Sequence, residues 1–243
     1  MKYKKIIKGT FINRPNRFVA DILLTEGTEK GTIVKAHVKN TGRCAELFIA
    51  GATVYAEDFS EAMGTRKLKY SLIGVEKKVK DQGILMVNVD SQAPNKVVLE
   101  GLENEKIKLP QMGKITYVKG EKTFGDSRFD FYIEDECGKR GFIEVKGVTL
   151  EEDGIARFPD APTERGVKHV QGLMQCKKEG YAAFVIFVLQ MKGMKVFCPN
   201  DVTHAAFGDT LRVASKKGVH ILAYECNVER DNLELFDRVP VEL

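Results

Sequence analysis

The chain is poor in the features that mark membrane proteins, secreted proteins and metal sites built from thiolate or imidazole. No apolar run approaches the length needed to cross a bilayer, and the start of the chain, with Lys2, Lys4 and Lys5 ahead of only Ile6 and Ile7, has no signal-type hydrophobic region. A soluble, cytoplasmic protein with no membrane partner is therefore expected. The five cysteines, Cys44, Cys137, Cys176, Cys198 and Cys226, are odd in number, scattered, and free of any C-x-x-C pair. That argues against a disulfide framework and against a thiolate zinc site. The four histidines, His37, His169, His204 and His220, lie too far apart for a histidine-rich metal motif. Any metal is expected to be held by oxygen. Internal repeats, low-complexity tracts and a disordered linker are also missing.

What is present is enough apolar material for more than one core, since 43% of 243 residues are hydrophobic. The net charge of +4 is unevenly placed. Residues 1–90 hold 16 Lys and Arg against 10 Asp and Glu, and the remainder holds 22 against 24, so the first third is basic and the rest slightly acidic. A basic module for a phosphate backbone, joined to an acidic one for a metal, gives this distribution. A plain solubility bias gives it as well.

Between residues 9 and 90 the apolar residues alternate in short stretches separated by turn signals. This predicts an all-β unit with strands at 9–13, 18–25, 32–38, 45–49, 53–58, 69–78 and 83–89. So many short strands suggest a small OB-like barrel. The pattern changes after Ala93 and Pro94, where Val97, Val98 and Leu102 have helical spacing, which places a domain boundary near residue 90 and gives domains 1–90 and 91–243. Beyond it, strands are predicted at 114–118, 127–133 and 141–149, a helix at 163–179, strands at 182–190 and 195–198, a helix at 202–217 and a strand at 219–224. The unbroken apolar run within 182–190 suits a central strand covered on both faces. The order predicts an α/β domain with a mixed sheet.

The informative segment is a predicted hairpin. Ser127-Arg128-Phe129-Asp130-Phe131-Tyr132-Ile133 is joined by a polar turn to Gly141-Phe142-Ile143-Glu144-Val145-Lys146-Gly147. If the turn is symmetric about Cys137, Phe131 faces Ile143 and Phe129 faces Val145, in an apolar ladder that fixes register. Asp130 then faces Glu144 on the other side, and Arg128 faces Lys146. Carboxylates so placed have Cβ atoms about 4.5–5.5 Å apart and repel unless a cation lies between them. Mg²⁺ or Mn²⁺ is the expected occupant, because Mg²⁺ takes one or two carboxylates together with waters and substrate phosphate. Lys146, two residues after Glu144, shares its face. It is placed to orient an attacking water or to stabilise charge at a scissile phosphate. Asp130, Glu144 and Lys146 are thus the candidate catalytic residues, with the two carboxylates as metal ligands. The spacing alone is not distinctive, since Glu76-Lys77-Lys78 repeats it and a solvated charged face has the same pattern.

The order Asp, then Glu-x-Lys, followed by a helix and a strand, resembles the core of the PD-(D/E)xK nuclease superfamily. Five motifs, two of them in this hairpin, come in the order Asn40-Thr41-Gly42-Arg43, Ser127-Arg128-Phe129-Asp130, Glu144-Val145-Lys146, Phe158-Pro159-Asp160-Ala161 and Arg165-Gly166-Val167-Lys168-His169. Together they resemble the sugar fermentation stimulation protein family over nearly the whole chain. The resemblance implies an OB-like domain ahead of a nuclease-like one, DNA binding without marked sequence preference, and a regulatory link to sugar utilisation. It leaves open whether the nuclease-like core cuts anything.

Around this centre lie secondary candidates, each with a plainer alternative. Glu121 or Glu100 would add a further acidic group, or be surface charge. Arg165 and Lys168 would meet phosphate near a helix start, or form a solvated face. In the barrel, Arg17, Thr41, Arg43, Arg66 and Lys67, extended by Arg14 and Lys69, would track a phosphate backbone, with Phe18 or Tyr70 for base stacking. Arg128 belongs to the same nucleic-acid set. His169 reads as structural or phosphate-facing, with a catalytic role as the alternative, and Asp160 or Thr163 as a helix cap. Three functions remain in play: a Mg²⁺-dependent DNA nuclease, a non-catalytic DNA-binding regulator, and an RNA binder acting through the barrel.

Overall fold

The computed structural model describes residues 1–40, 42–79 and 83–243. Its first sheet comprises β1 (Ile6–Asn16), β2 (Val19–Leu24), β3 (Ile33–Val38), β4 (Thr53–Asp58), β5 (Tyr70–Val79) and β6 (Gly83–Asn88). Neighbours run β3-β2-β1-β4-β5-β6, and a parallel β3–β5 pairing closes the first five strands into a barrel, with β6 appended to β5. This is the expected OB domain. Period-two patterning builds its wall: Ala20, Ile22 and Leu24 of β2 are buried, while Asp21 between them meets Lys35 of β3.

The segment 45–49, predicted as a strand, is a turn. The amides of Leu47 and Phe48 both donate to the Cys44 carbonyl, which leaves no ladder to join. Leu47 is buried and the Phe48 ring stacks on Phe11 at 5.5 Å, so these apolar side chains serve the barrel core from a turn. Five residues of alternation do not separate the two cases.

Next come α1 (Ala93–Glu103), β7 (Ile115–Phe124), β8 (Ser127–Asp135), β9 (Arg140–Val148), β10 (Leu150–Glu152) and β11 (Ile155–Phe158). The chain ends with α2 (Glu164–Lys178), β12 (Ala182–Leu189), β13 (Val196–Pro199), α3 (Asp201–Lys216), β14 (His220–Val228) and β15 (Leu233–Val239). The main sheet is mixed, in the order β15-β14-β12-β9-β8-β7, with β9, β12 and β14 parallel and antiparallel strands at both ends. β10, β11 and β13 form a small second sheet. Strands β10, β11 and β15 were not anticipated. The first two are too short for a period, and Glu234, Asp237 and Arg238 dilute the third, which lies at a sheet edge.

Every residue of β12 is buried, because helices cover both faces of the sheet. On one face α1 packs Val97, Val98 and Leu102 with Phe131, Ile143 and Val145. On the other, Val170, Leu173 and Cys176 of α2 and Phe207 and Leu211 of α3 pack with Phe142, Val185 and Phe187. Helix α2 starts where the Thr163 hydroxyl accepts the Gly166 N–H at 3.1 Å, a cap worth about 1 kcal/mol. The barrel core is continuous with the α2 and α3 side. Polar bonds reinforce that junction: the Gln190 amide donates to Asn88 Oδ1 at 2.8 Å, and Lys77 pairs with Glu151 at 2.6 Å. Among the described residues no helix is long and apolar enough to cross a membrane.

Candidate functional site

The predicted hairpin forms with the predicted register near its turn, where Phe131 pairs with Ile143, Ile133 with Gly141 and Glu134 with Arg140. The ladder stops at Phe131. Strand β9 follows its parallel partner β12 all the way to Val148, while β8 follows β7 down to Ser127, so the two strands splay. Asp130 therefore does not face Glu144 across a ladder, Phe129 does not face Val145, and Arg128 does not face Lys146. Instead the Asp130 side chain enters the gap, where Oδ2 accepts the Val145 N–H at 2.7 Å. Phe129 turns to the α2 side against Phe142, while Phe131 stays on the α1 side.

This splay brings Asp130, Glu144 and Lys146 together at the mouth of the opened hairpin. Asn95, in the first turn of α1, donates to Asp130 Oδ1 at 2.9 Å, so both oxygens of that carboxylate are oriented. Glu144 is only 2% exposed, and an ionised carboxylate so buried is costly unless paired. Its Oε1 has two partners: Lys146 Nζ, and His169 Nδ1 at 2.6 Å. Arg165 Nε lies 3.4 Å from His169 Nε2 on the far side of the ring, so Nδ1 is the ring nitrogen that faces Glu144. The second oxygen, Oε2, is buried with no hydrogen-bond partner.

The two carboxyls titrate in opposite directions. Burial, and then the charge of Glu144, push Asp130 above its ordinary value despite the Val145 amide and Asn95. Burial pushes Glu144 up too, but His169 and Lys146 outweigh it and hold that carboxyl below its ordinary value. A cation between them would relieve the repulsion that raises Asp130 and satisfy the orphaned Oε2. The donor set is hard oxygen, which suits Mg²⁺, Mn²⁺ or Ca²⁺. Among the described residues no group of three His, Cys, Asp or Glu side chains is arranged to hold an ion, so the rest of an ion's shell would come from other oxygens.

The remaining predicted residues divide. Arg165 sits behind Glu144 through His169, and Lys168 is exposed on the same helix. Glu121 and Arg128 are exposed on adjacent strands and pair with each other at 3.6 Å. Glu100 is bound to the Met1 amine at 2.8 Å, away from the hairpin. Around the barrel, Arg17, Arg43 and Lys67 are exposed, Arg17 lying over the 47% exposed Phe18 ring. Arg66 is half-buried, stacked on Phe59 at 3.6 Å and bonded to Ser71. Thr41 lies outside the described residues. Two secondary expectations fail: Tyr70 is 2% exposed and offers no stacking face, and Arg14 directs its guanidinium to the carbonyls of Arg17, Asn40, Gly42 and Arg43.

Sequence reasoning missed Asn95 and the bond from His169 to Glu144. Nothing local marks Asn95, whereas the four-residue spacing of Arg165 and His169 was a usable signal for one face of a helix. Gly147 was also missed. A Cβ there would lie 2.5 Å from Gln190 Oε1 and 2.8 Å from Pro94, so the residue after Lys146 must be small for α1 to approach the strand.

Comparison with known proteins places this geometry in context. Residues 12–87 match a family model described as the SfsA N-terminal OB domain, and residues 92–232 match one described as the sugar fermentation stimulation protein RE domain. A sugar fermentation stimulation protein homolog of Desulfitobacterium hafniense is 50% identical over 246 residues, covering 100% of this chain and 99% of its own. The homolog of Clostridium beijerinckii is 50% identical over 243 residues, with 100% of both chains covered. Among solved structures, Pyrococcus furiosus SfsA in complex with Ca²⁺ superimposes with a TM-score of 0.84 at 27% identity, covering 100% of this chain and 98% of that one.

Proposed function

The chain belongs to the sugar fermentation stimulation protein family, and from that premise we propose that it binds DNA through the barrel's basic rim and hydrolyses phosphodiester bonds at Asp130, Glu144 and Lys146 with Mg²⁺ or Mn²⁺. The observation that carries the reading is the unpartnered, buried Glu144 Oε2 beside Asp130. An orphaned buried acceptor costs about 1–3 kcal/mol, more when charged, and a divalent cation is the ligand that would satisfy it. That the Pyrococcus relative holds Ca²⁺ supports a hard, oxygen-seeking ion.

Asp130 and Glu144 would hold the ion, which supplies, when bound, positive charge against a scissile phosphate. Asn95 and the Val145 amide orient Asp130, and His169 fixes Glu144, so neither carboxylate must reorganise. Lys146 is tied to Glu144 at the open side of the hairpin. There its ammonium orients the attacking water and balances charge on the phosphate. Arg17, Arg43 and Lys67 supply sequence-independent backbone attraction, which matches binding without base preference.

A second reading, DNA binding without cleavage, is favoured by one fact: among the described residues only two carboxylates converge. The deciding experiment incubates the protein with single-stranded, duplex and branched DNA and with RNA, under Mg²⁺, Mn²⁺ or chelator. Asp130→Ala and Lys146→Ala are run in parallel. The expected outcome is ion-dependent DNA cleavage that falls at least about 100-fold in both variants, with Lys146→Ala still binding. Binding without cleavage on every substrate would transfer the assignment to the second reading.

A further inference from the structure

We infer that the sheet edge beyond the carboxylates is a stacking subsite for an unpaired DNA base, a role that rests on the DNA-binding reading above. A cavity of about 510 Å³ opens there, lined by Tyr117, Lys119, Lys122, Tyr132, Arg140 and Tyr181. Phe142 is buried beneath them and supports two of the rings, 5.3 Å from Tyr132 and 5.2 Å from Tyr181. Tyr117 stands at the rim, 6.3 Å from Tyr132 and 48% exposed. Core packing does not account for a tyrosine left so open.

The charges complement this surface. Three cations face a single carboxylate, Glu134, which already accepts the Tyr132 hydroxyl at 2.6 Å. Lys122 Nζ lies 5.6 Å from the Tyr132 ring centre, and the Arg140 guanidinium 5.1 Å from that of Tyr181. Cations over half-buried rings beside the exposed Tyr117 form the combination single-stranded nucleic acid uses, with rings for the base and ammonium or guanidinium for flanking phosphates.

The position relative to the carboxylates fixes the occupant. Phe142 and Glu144 are two residues apart on β9 and share a face, a step of about 6.6 Å. Phe129 bridges them, 5.5 Å from Phe142 and 6.1 Å from His169, which holds Glu144. Both bridging rings are buried beneath α2, so they set the separation of the two sites and not the path between them. A strand with one phosphate at Asp130 and Glu144 that continues along the surface would bring a neighbouring base to the open rim at Tyr117. A base inside a duplex stack has no free face to offer, so the occupant is an unpaired base of a single-stranded, frayed or branched substrate.

The test compares an oligothymidylate with a fully abasic strand of equal length, bound to the full chain in chelator and followed by fluorescence anisotropy. Stacking on this surface predicts that the wild type prefers the strand with bases by about 5-fold or more. Tyr117→Ala combined with Tyr181→Ala should abolish the preference while the abasic strand binds as before. Phe at both positions, which keeps the rings, should retain it. A bromodeoxyuridine strand should photocrosslink to peptides of β7 or to Tyr181. An unchanged preference in the double alanine variant, with circular dichroism reporting a native fold, overturns the subsite and leaves DNA binding standing. Failure of the wild type to bind either strand overturns both.

Discussion

Under the proposed function, the splayed hairpin and the basic rim of the barrel would meet the same kind of ligand in opposite ways. At the hairpin every group is held before a ligand arrives: Asp130 by Asn95 and the Val145 amide, Glu144 by His169 and Lys146. On the barrel, Arg17, Arg43 and Lys67 are exposed and enter no ion pair among the described residues. The difference is the one the proposed roles would require. A group that acts on a developing charge must not reorganise, so its surroundings fix it. A group that only attracts a phosphate backbone works from a flexible stem and in any register. Substitutions in the first region should act on rate and metal affinity, and those in the second on strand affinity alone.

The largest expected effect tests whether the two regions belong to one rigid body. Lys77 of the barrel is paired with Glu151 of β10, which is 2% exposed. Lys77→Ala leaves that carboxylate buried and unpaired, which should cost about 3 kcal/mol or more. The loss should appear in thermal unfolding as one transition shifted down. Two separate transitions would show that barrel and sheet unfold independently. The pH dependence has a definite sign. Burial raises the Glu151 carboxyl, but Lys77 and the Gly154 amide outweigh it, so its folded value lies below the ordinary one. Its stabilisation is therefore complete above the ordinary carboxylate range and is lost as pH falls through the folded value. The gap between wild type and Lys77→Ala should be widest near neutrality and close in acid.

A smaller effect sharpens the contrast by touching one fixed group without removing a carboxylate. His169→Ala frees Glu144 from its Nδ1 bond and should weaken Ca²⁺ or Mn²⁺ binding by about 10- to 100-fold, measured by calorimetry. His169→Asn places an amide donor near the Nδ1 position and should recover most of that affinity, whereas His169→Gln should not. Wild-type affinity in all three variants would remove His169 from the site and weaken the claim that the hairpin is preorganised.

Legibility in the sequence followed how local each determinant is. The barrel strands, the buried run of β12 and helix α2 with its Thr163 cap were readable because period and cap are properties of neighbouring residues. The hairpin register was readable near the turn, where symmetry about Cys137 decides it, and was lost at Asp130, where β9 stays paired with β12 while β8 stays paired with β7. Asn95 reaches Asp130 across 35 residues and carries no local mark. The turn at 45–49 failed for a related reason, since burial of Leu47 and Phe48 looks the same from a strand or from a loop lying on the core.

The smallest effect belongs to the barrel rim. Arg17→Ala combined with Lys67→Ala should weaken duplex and single-stranded DNA alike by several-fold at low salt. The slope of log affinity against log salt should fall by about 1 for each phosphate that is no longer neutralised. Both residues are exposed and in no ion pair among the described residues, so the unfolding free energy should stay within about 0.5 kcal/mol of wild type. Cleavage at saturating DNA should be unchanged, because neither side chain reaches the carboxylates. A fall in the saturated rate with affinity intact would mean that the rim positions the strand at Asp130 and Glu144 and does not merely attract it. The two regions would then form one continuous binding surface, with the junction through Lys77 and Glu151 setting its geometry.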